Sequence, residues 1–288
     1  MAAHLEFFVK SPDGLSLFVR DYAAVGPGRS LPVVCLHGLT RNSADFEAVA
    51  PRLAALGRRV IAPDMRGRGR SDRDPDPERY RPDVYVRDVI AILDAVCVDR
   101  AVFVGTSMGG IITMLAATVA PGRVAAAVLN DIGPVLDPAG LSRIAGYVGK
   151  SAPYESWGEI VRAIKATQDI AFPDADEMFW NIFARRVAHQ LPDGRVAFAY
   201  DPAIANAFNR APPNPAPDMM PMFQALAVRP ILSVRGALSD LLSPEGVAAM
   251  CKVKPDMETV EVPRVGHAPT LEEPAAWRAL EGFLDRLT

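Results

Sequence analysis

The sequence contains little cysteine. Its 288 residues include three cysteines, Cys35, Cys97 and Cys251, which are far apart and lie in apolar segments. An odd number of scattered cysteines is not the pattern of a disulfide framework or of a cysteine metal site. We therefore expect buried free thiols in a reducing compartment.

The sequence also lacks an excess of one charge and a long apolar run. It has 31 Lys and Arg against 34 Asp and Glu, a net charge of −3, with no basic stripe, so neither a nucleic acid nor a membrane partner is expected. The first ten residues lack the basic start, apolar centre and cleavage site of a signal peptide. No uninterrupted apolar run is long enough to cross a bilayer. We expect a cytoplasmic protein, and nothing here indicates its oligomeric state.

Apolar strand patterns alternate with helical patterns along most of the chain. A hairpin is expected over residues 5–22, where the turn sequence Ser-Pro-Asp-Gly separates two strand-like runs. From residue 32 onward, short apolar strands alternate with amphipathic helices, which predicts a mostly parallel sheet with helices on both faces. The pattern stops near residue 133 and resumes near 222, so we predict a core of 1–133 and 222–288.

The intervening residues, 134–221, have a different character. They contain several helical patterns and many aromatic residues, and they end in a proline-rich stretch at 212–217. We predict that this stretch, called the cap segment below, is a helical insertion over the sheet.

The strongest chemical signal is the pentapeptide Gly105-Thr-Ser-Met-Gly109. It lies between an apolar strand and an apolar helix, the setting of a nucleophile elbow. Such a turn holds its central residue in a strained conformation, and flanking glycines allow the strand and the helix to approach closely. The pattern predicts that Ser107 is an exposed nucleophile.

A serine nucleophile needs a base, and the base needs an acid. His267 lies in a loop after the last strand pattern, which would emerge at the same sheet edge as Ser107. Asp240 follows another strand and gives the chain order nucleophile, acid, base that is typical of an elbow enzyme. Asp131, at the end of the strand before the cap segment, is the alternative acid. We expect the triad Ser107, Asp240 and His267, with Asp131 left open.

A developing oxyanion needs two fixed donors. We expect one from the backbone N–H of Met108, directly after the nucleophile. The other should come from the turn that follows the strand ending at His37, from the N–H of Leu39. His37 itself is interpreted as a structural residue that holds this turn.

Together these segments resemble the α/β-hydrolase superfamily. The matching pieces, in chain order, are His37-Gly-Leu39, Asp64-Met-Arg-Gly-Arg-Gly-Arg-Ser71, Gly105–Gly109, Gly236-Ala-Leu-Ser-Asp240 and Gly266-His267. The resemblance implies an eight-stranded sheet, a helical cap between its sixth and seventh strands, a Ser-Asp-His triad, and neither cofactor nor metal. Within the superfamily, the chain looks most like bacterial carboxylesterases and enol-lactonases of the 3-oxoadipate type.

The nucleophile separates several branches of that superfamily. Epoxide hydrolases and haloalkane dehalogenases attack with aspartate, so Ser107 disfavours both. Haloperoxidases are expected to carry an aromatic residue where this chain has Leu39. Carbon–carbon bond hydrolases often show Asn where this chain has Thr106. The favoured function is hydrolysis of a small carboxylic ester or lactone; the alternatives are carbon–carbon cleavage of a vinylogous diketone, or a ligand-binding module on the same fold.

The cap segment is expected to set the substrate. Met178, Phe179, Trp180 and Phe183 are spaced to form an apolar pocket wall, although the same stripe is typical of a helix core. Arg41, with Arg185 and Arg186, could hold a substrate carboxylate.

Overall fold

A computed structural model of the protein describes residues 4–26, 30–150, 152–208 and 218–287. The proline-rich stretch at 212–217 lies outside the described residues, as does part of the preceding chain. No helix in the described ranges combines the length and apolar character needed to span a bilayer.

The described residues form a large sheet of eight strands and a small hairpin of two. In chain order the strands are β1 (Leu5–Lys10), β2 (Ser16–Tyr22), β3 (Val33–Leu36), β4 (Val60–Pro63), β5 (Ala101–Thr106), β6 (Val124–Asn130), β7 (Ala188–Gln190), β8 (Val196–Phe198), β9 (Ile231–Gly236) and β10 (Glu258–Val262). The order across the large sheet is β1-β2-β4-β3-β5-β6-β9-β10. Strand β2 runs antiparallel to β1 and β4, and the remaining neighbours are parallel.

Ten α-helices connect and cover these strands in the part of the chain that is described. They are α1 (Val49–Ala55), α2 (Pro82–Ala95), α3 (Met108–Val119), α4 (Pro138–Tyr147), α5 (Trp157–Gln168), α6 (Glu177–Val187), α7 (Ile204–Phe208), α8 (Met220–Leu226), α9 (Pro244–Val253) and α10 (Pro274–Asp285). Short 3-10 turns occur at Ser43–Phe46 and Pro77–Arg79.

The sheet has an apolar core on each face. Along β5, Val102 and Val104 belong to one buried cluster and Ala101 and Phe103 to the other, because successive strand residues point to opposite faces. One cluster includes buried residues of α2, α3 and α8, and the other includes buried residues of α1, α5, α6 and α10. Apolar strands buried on both faces are what a covered parallel sheet requires. The fold predicted from the sequence is confirmed.

The cap segment differs from the prediction in one respect. Besides helices, it contains the hairpin β7–β8, whose strands are joined through a turn that ends at Gly194 with a φ of 91°. Each strand has three residues, too few to show a period of two in the sequence. Helix α8 begins at Met220, two residues before the predicted start of the core at 222, and the division into core and cap stays a prediction.

Candidate active site

The nucleophile elbow joins β5 to α3. Ser107 has φ 51° and ψ −114°, a left-handed conformation that is unusual for a residue with a side chain. A Cβ atom on Gly105 would overlap the backbone of Gly109, and one on Gly109 would overlap the backbone oxygen of Leu36. Strand and helix therefore pack closely only because both positions lack a side chain, and this packing holds Ser107 at the carboxyl edge of the sheet.

His267 connects the serine to an acid. Its Nε2 lies 2.9 Å from Oγ of Ser107, and its Nδ1 lies 2.8 Å from Oδ2 of Asp131. A carboxylate accepts hydrogen bonds, so Asp131 fixes the neutral ring with its proton on Nδ1. Nε2 is then free to accept the hydroxyl proton of Ser107, as a general base must.

Asp131 is held by groups on the neighbouring strand and its loop. It directly follows β6, is fully buried and has φ 55°. The backbone N–H of Gly236 donates to Oδ1 at 2.8 Å, and Oγ of Ser239 donates to Oδ2 at 2.5 Å. Because the carboxylate is hydrogen-bonded on both oxygens, its orientation toward His267 is set before any substrate binds.

Asp240 does not contact His267, and this corrects its expected place in the triad. Its carboxylate forms a bidentate pair with Arg143 of α4, with distances of 2.5 Å to Nε and 2.9 Å to Nη2. The hydrogen bonds from Arg143 lower the pKa of Asp240 below its usual range. Its backbone oxygen also accepts from the N–H of Gly140 at 2.9 Å. Asp240 thus binds the first helix of the cap segment to the core.

The positions of the two aspartates relative to their strands agree with this outcome. Asp131 comes immediately after β6, which pairs with the nucleophile strand β5, whereas Asp240 lies four positions beyond the end of β9. The closer strand end brings Asp131 to the histidine, and the pairing of Asp240 with a cation on a distant helix depends on tertiary structure.

The expected oxyanion donors belong to the start of α3 and to the turn after β3. Met108 is the first residue of α3, so its N–H is among those that a helix leaves without an intrahelical acceptor. Leu39 lies in the turn after β3 and lines the same cavity as Ser107. The oxyanion role of both N–H groups stays a prediction.

His37 fixes that turn. It is fully buried, its Nδ1 lies 2.7 Å from the carbonyl oxygen of Gly38, and its Nε2 accepts from the N–H of Met65 at 3.0 Å. Burial lowers the pKa of His37. The ring is therefore held in its neutral form and serves the loop rather than the chemistry.

A cavity of about 270 Å³ opens onto Ser107 and His267. The core supplies its floor, and α4, α5, α6 and β8 of the cap segment supply much of its wall. Cap residues on that wall include Ile144, Tyr147, Ile164, Thr167, Phe183 and Phe198. A small site with apolar walls and a few polar groups is typical of small-molecule binding.

Only some of the expected pocket residues reach this cavity. Phe183 and Arg41 line it, whereas Met178, Phe179 and Trp180 do not. Met178 is 69% exposed, and Trp180 is buried in the same apolar cluster as Phe183, with its ring centroid 6.1 Å from that of Phe183. A helix presents its faces in different directions, so a stripe of apolar residues around α6 is divided between surface, core and cavity.

The two cap arginines that were expected to hold a substrate carboxylate also differ in their surroundings. Arg186 lines the cavity, but Arg185 instead lies over the ring of Trp157 at 3.6 Å. The sequence analysis missed Tyr147 and Lys150, which also line the cavity. Neither belongs to a motif, and only the position of α4 over the sheet brings them to the site.

Among the described ranges of the chain, no three His, Cys, Asp or Glu side chains are grouped so that they could hold a metal ion. His267 is hydrogen-bonded through one ring nitrogen to Ser107 and through the other to Asp131.

Comparison with known proteins identifies the family. The model of the alpha/beta hydrolase fold family matches residues 32–274, and the chain belongs to this family. It is a hydrolase of the α/β-hydrolase fold.

The chain is similar to several characterised or solved relatives. It is 35% identical to the 3-hydroxybutyrate-oligomer hydrolase of Cupriavidus necator over 86% of each chain. It is 27% identical to the 2-(acetamidomethylene)succinate hydrolase of Mesorhizobium japonicum, also over 86% of each. A crystal structure of an alpha/beta hydrolase from Novosphingobium aromaticivorans matches with 45% identity and a TM-score of 0.92 over 99% of both chains.

Proposed function

We propose that the protein is a serine hydrolase of small carboxylic esters or lactones, with Ser107 as nucleophile, His267 as base and Asp131 as acid. The observation that carries the proposal is the continuous hydrogen-bonded chain from Ser107 through His267 to Asp131, with the serine facing a cavity. Asp131 takes the role that the sequence analysis gave to Asp240.

In the first half of the proposed reaction, Oγ of Ser107 attacks the carbonyl carbon while its proton moves to Nε2 of His267. The oxyanion would accept from the N–H groups of Leu39 and Met108. The carbon–oxygen bond to the alcohol then breaks, and His267 returns its proton to the departing oxygen. An acyl group remains on Ser107.

In the second half, water enters and His267 removes its proton. The hydroxide adds to the acyl carbon, the bond to Oγ breaks, and the proton returns to Ser107. The products are a carboxylic acid and the serine in its starting form. With a lactone, alcohol and acid are released as one hydroxy acid.

Among the relatives, the first supports an ester as the bond cleaved. The first of them is named for oligomers of 3-hydroxybutyrate, whose units are joined by ester bonds. Since that similarity spans 86% of both chains, it extends across the elbow and the cap segment.

The experiment that tests the proposal is hydrolysis of p-nitrophenyl esters from acetate to octanoate by the wild type, Ser107→Ala and His267→Ala. Loss of either side chain should lower kcat by roughly 10⁴–10⁶. Ser142→Ala, on the exposed side of α4, and His189→Gln, on the exposed hairpin, are matched controls that should keep wild-type rates.

Two other outcomes would point elsewhere. Labelling of Ser107 by a fluorophosphonate without turnover of any ester or lactone would favour a ligand-binding module. Cleavage of a vinylogous diketone into a carboxylic acid and a ketone, with esters untouched, would favour a carbon–carbon bond hydrolase.

A further inference from the structure

The cavity carries more positive than negative charge. Arg41, Lys150 and Arg186 line it, against the single carboxylate of Asp45. The whole chain has the opposite balance, with a net charge of −3. A concave site of one sign in a protein of the other sign concentrates ligands of opposite charge.

The two arginines are already bound to carboxylates. Arg41 pairs with Asp45 through Nε and Nη2 at 2.7–2.9 Å, and its guanidinium lies over the ring of Phe183 at 3.9 Å. Arg186 donates to Oε1 of Glu272 at 2.7 Å. Glu272 does not line the cavity, so Arg186 adds positive charge to it while its position is fixed from behind.

Lys150 differs from both arginines. It follows α4 closely, is exposed, and lines the cavity. Within the described part of the chain, its ammonium group has no carboxylate within ion-pair distance. A lysine ammonium on a flexible stem can adapt to a charged group at the rim of a site. Lys150 is therefore the cation of this cavity best placed to receive an anion from solution.

We propose that the substrate is an ester that carries a free carboxylate away from the bond cleaved, and that Lys150 receives this carboxylate, aided by the field of Arg186. The inference rests on the proposed function and adds to it the class of substrate. The substrate must be a small compound, since the volume of the cavity is about 270 Å³.

The test compares two esters of the same alcohol and nearly the same shape, monoethyl succinate and ethyl levulinate. The first ends in a carboxylate and the second in a neutral methyl ketone. We expect the wild type to favour monoethyl succinate in kcat/KM by about tenfold or more, the usual effect of a hydrogen bond to a charged group. The preference should fall as salt rises.

Substitutions of Lys150 test whether this residue receives the carboxylate. Lys150→Met should reduce the preference for the anionic ester by about tenfold, and Lys150→Arg should retain most of it. Lys165→Met is the matched control, because Lys165 lies on α5 of the same segment, pairs with Glu177 and does not line the cavity. It should leave the rates with both esters unchanged.

Failure of the carboxylate inference can be distinguished from failure of the esterase proposal. If ethyl levulinate is cleaved in a Ser107-dependent reaction as well as monoethyl succinate, or if Lys150→Met keeps the preference, the carboxylate inference is wrong and the esterase proposal stands. If neither these nor the p-nitrophenyl esters are cleaved, the esterase proposal itself fails. The melting temperatures of the three variants should match that of the wild type, since both lysines are exposed.

Discussion

At the scale of single residues, two aspartates near the histidine have separate tasks. Asp131 is fully buried and bonded to His267, to the N–H of Gly236 and to Ser239. Asp240 remains partly exposed, and its charge is matched by Arg143. The chemical identity of the two side chains is the same, so their roles are set by which partner each one faces, His267 or Arg143.

We therefore predict that Asp131→Asn loses activity and that Asp240→Asn retains most of it. An amide in place of Asp131 would favour the wrong tautomer of His267, which in another serine hydrolase lowers kcat by about 10⁴. In Asp240→Asn the triad is unchanged, but Arg143 loses its carboxylate, so the melting temperature should fall. Steady-state kinetics and thermal unfolding of both variants check this. An equal loss of kcat in the two variants would contradict the assignment of the acid.

At the scale of elements, the site depends on how closely α3 approaches the sheet. The helix begins directly after Ser107, and the peptide of Gly109 lies against the end of β3. The approach of helix to strand fixes the direction of the first helical N–H groups and the height of the serine above the sheet. Packing at this crossing and catalytic geometry therefore depend on the same atoms.

Gly109→Ala should damage both stability and activity. The added methyl group would overlap the backbone oxygen of Leu36, and such overpacking typically costs about 1–3 kcal/mol of unfolding free energy. Gly122→Ala is the matched control, since nothing lies within 4 Å of a Cβ at that position. It should unfold within about 1 kcal/mol of the wild type. Urea titrations with parallel esterase assays measure both effects, and a fully active, equally stable Gly109→Ala protein would refute the packing argument.

At the scale of the whole molecule, the loop beneath the active site links stability to pH. His37 is buried and neutral, with both ring nitrogens used in the turn between β3 and α1 and the segment after β4. Asp64, Arg68 and Asp45 surround it, and burial is the largest cause of its lowered pKa. Protonation in the folded state would take away the acceptor for the N–H of Met65.

The sign of the pH effect follows from proton binding. The unfolded chain binds a proton at His37 near pH 6.5, while the folded chain does so only at lower pH, so the unfolded state binds more protons between these values. Stability from this residue is complete above pH 6.5 and decreases as pH falls below it, by at most about 1.4 kcal/mol per pH unit. Unfolding free energies from pH 7.5 to 5 should show this decrease, and His37→Asn should have a smaller slope. A slope unchanged in His37→Asn would rule out the linkage.

Much of the fold could be predicted from local patterns in the sequence. The apolar helix expected after the elbow is α3, the predicted hairpin at 5–22 is formed by β1 and β2, and the predicted alternation of strands and helices is present from β3 onward. These elements follow from apolar periodicity and from the glycines of the elbow, which act between residues close together in the chain. The hairpin β7–β8 was missed because its strands are too short to show a pattern.

The sequence by itself determined the class of fold and singled out Ser107 and His267 as the candidate nucleophile and base, since each follows from local pattern and from chain order in a parallel sheet. Only the tertiary structure decided which aspartate meets His267, because Arg143, from a helix 97 positions away in the chain, pairs with Asp240. The same applies to the cavity wall, where Tyr147 and Lys150 reach the site and Met178 does not. The direction of a side chain on a cap helix depends on how that helix packs on the sheet, and no spacing along the chain records this packing.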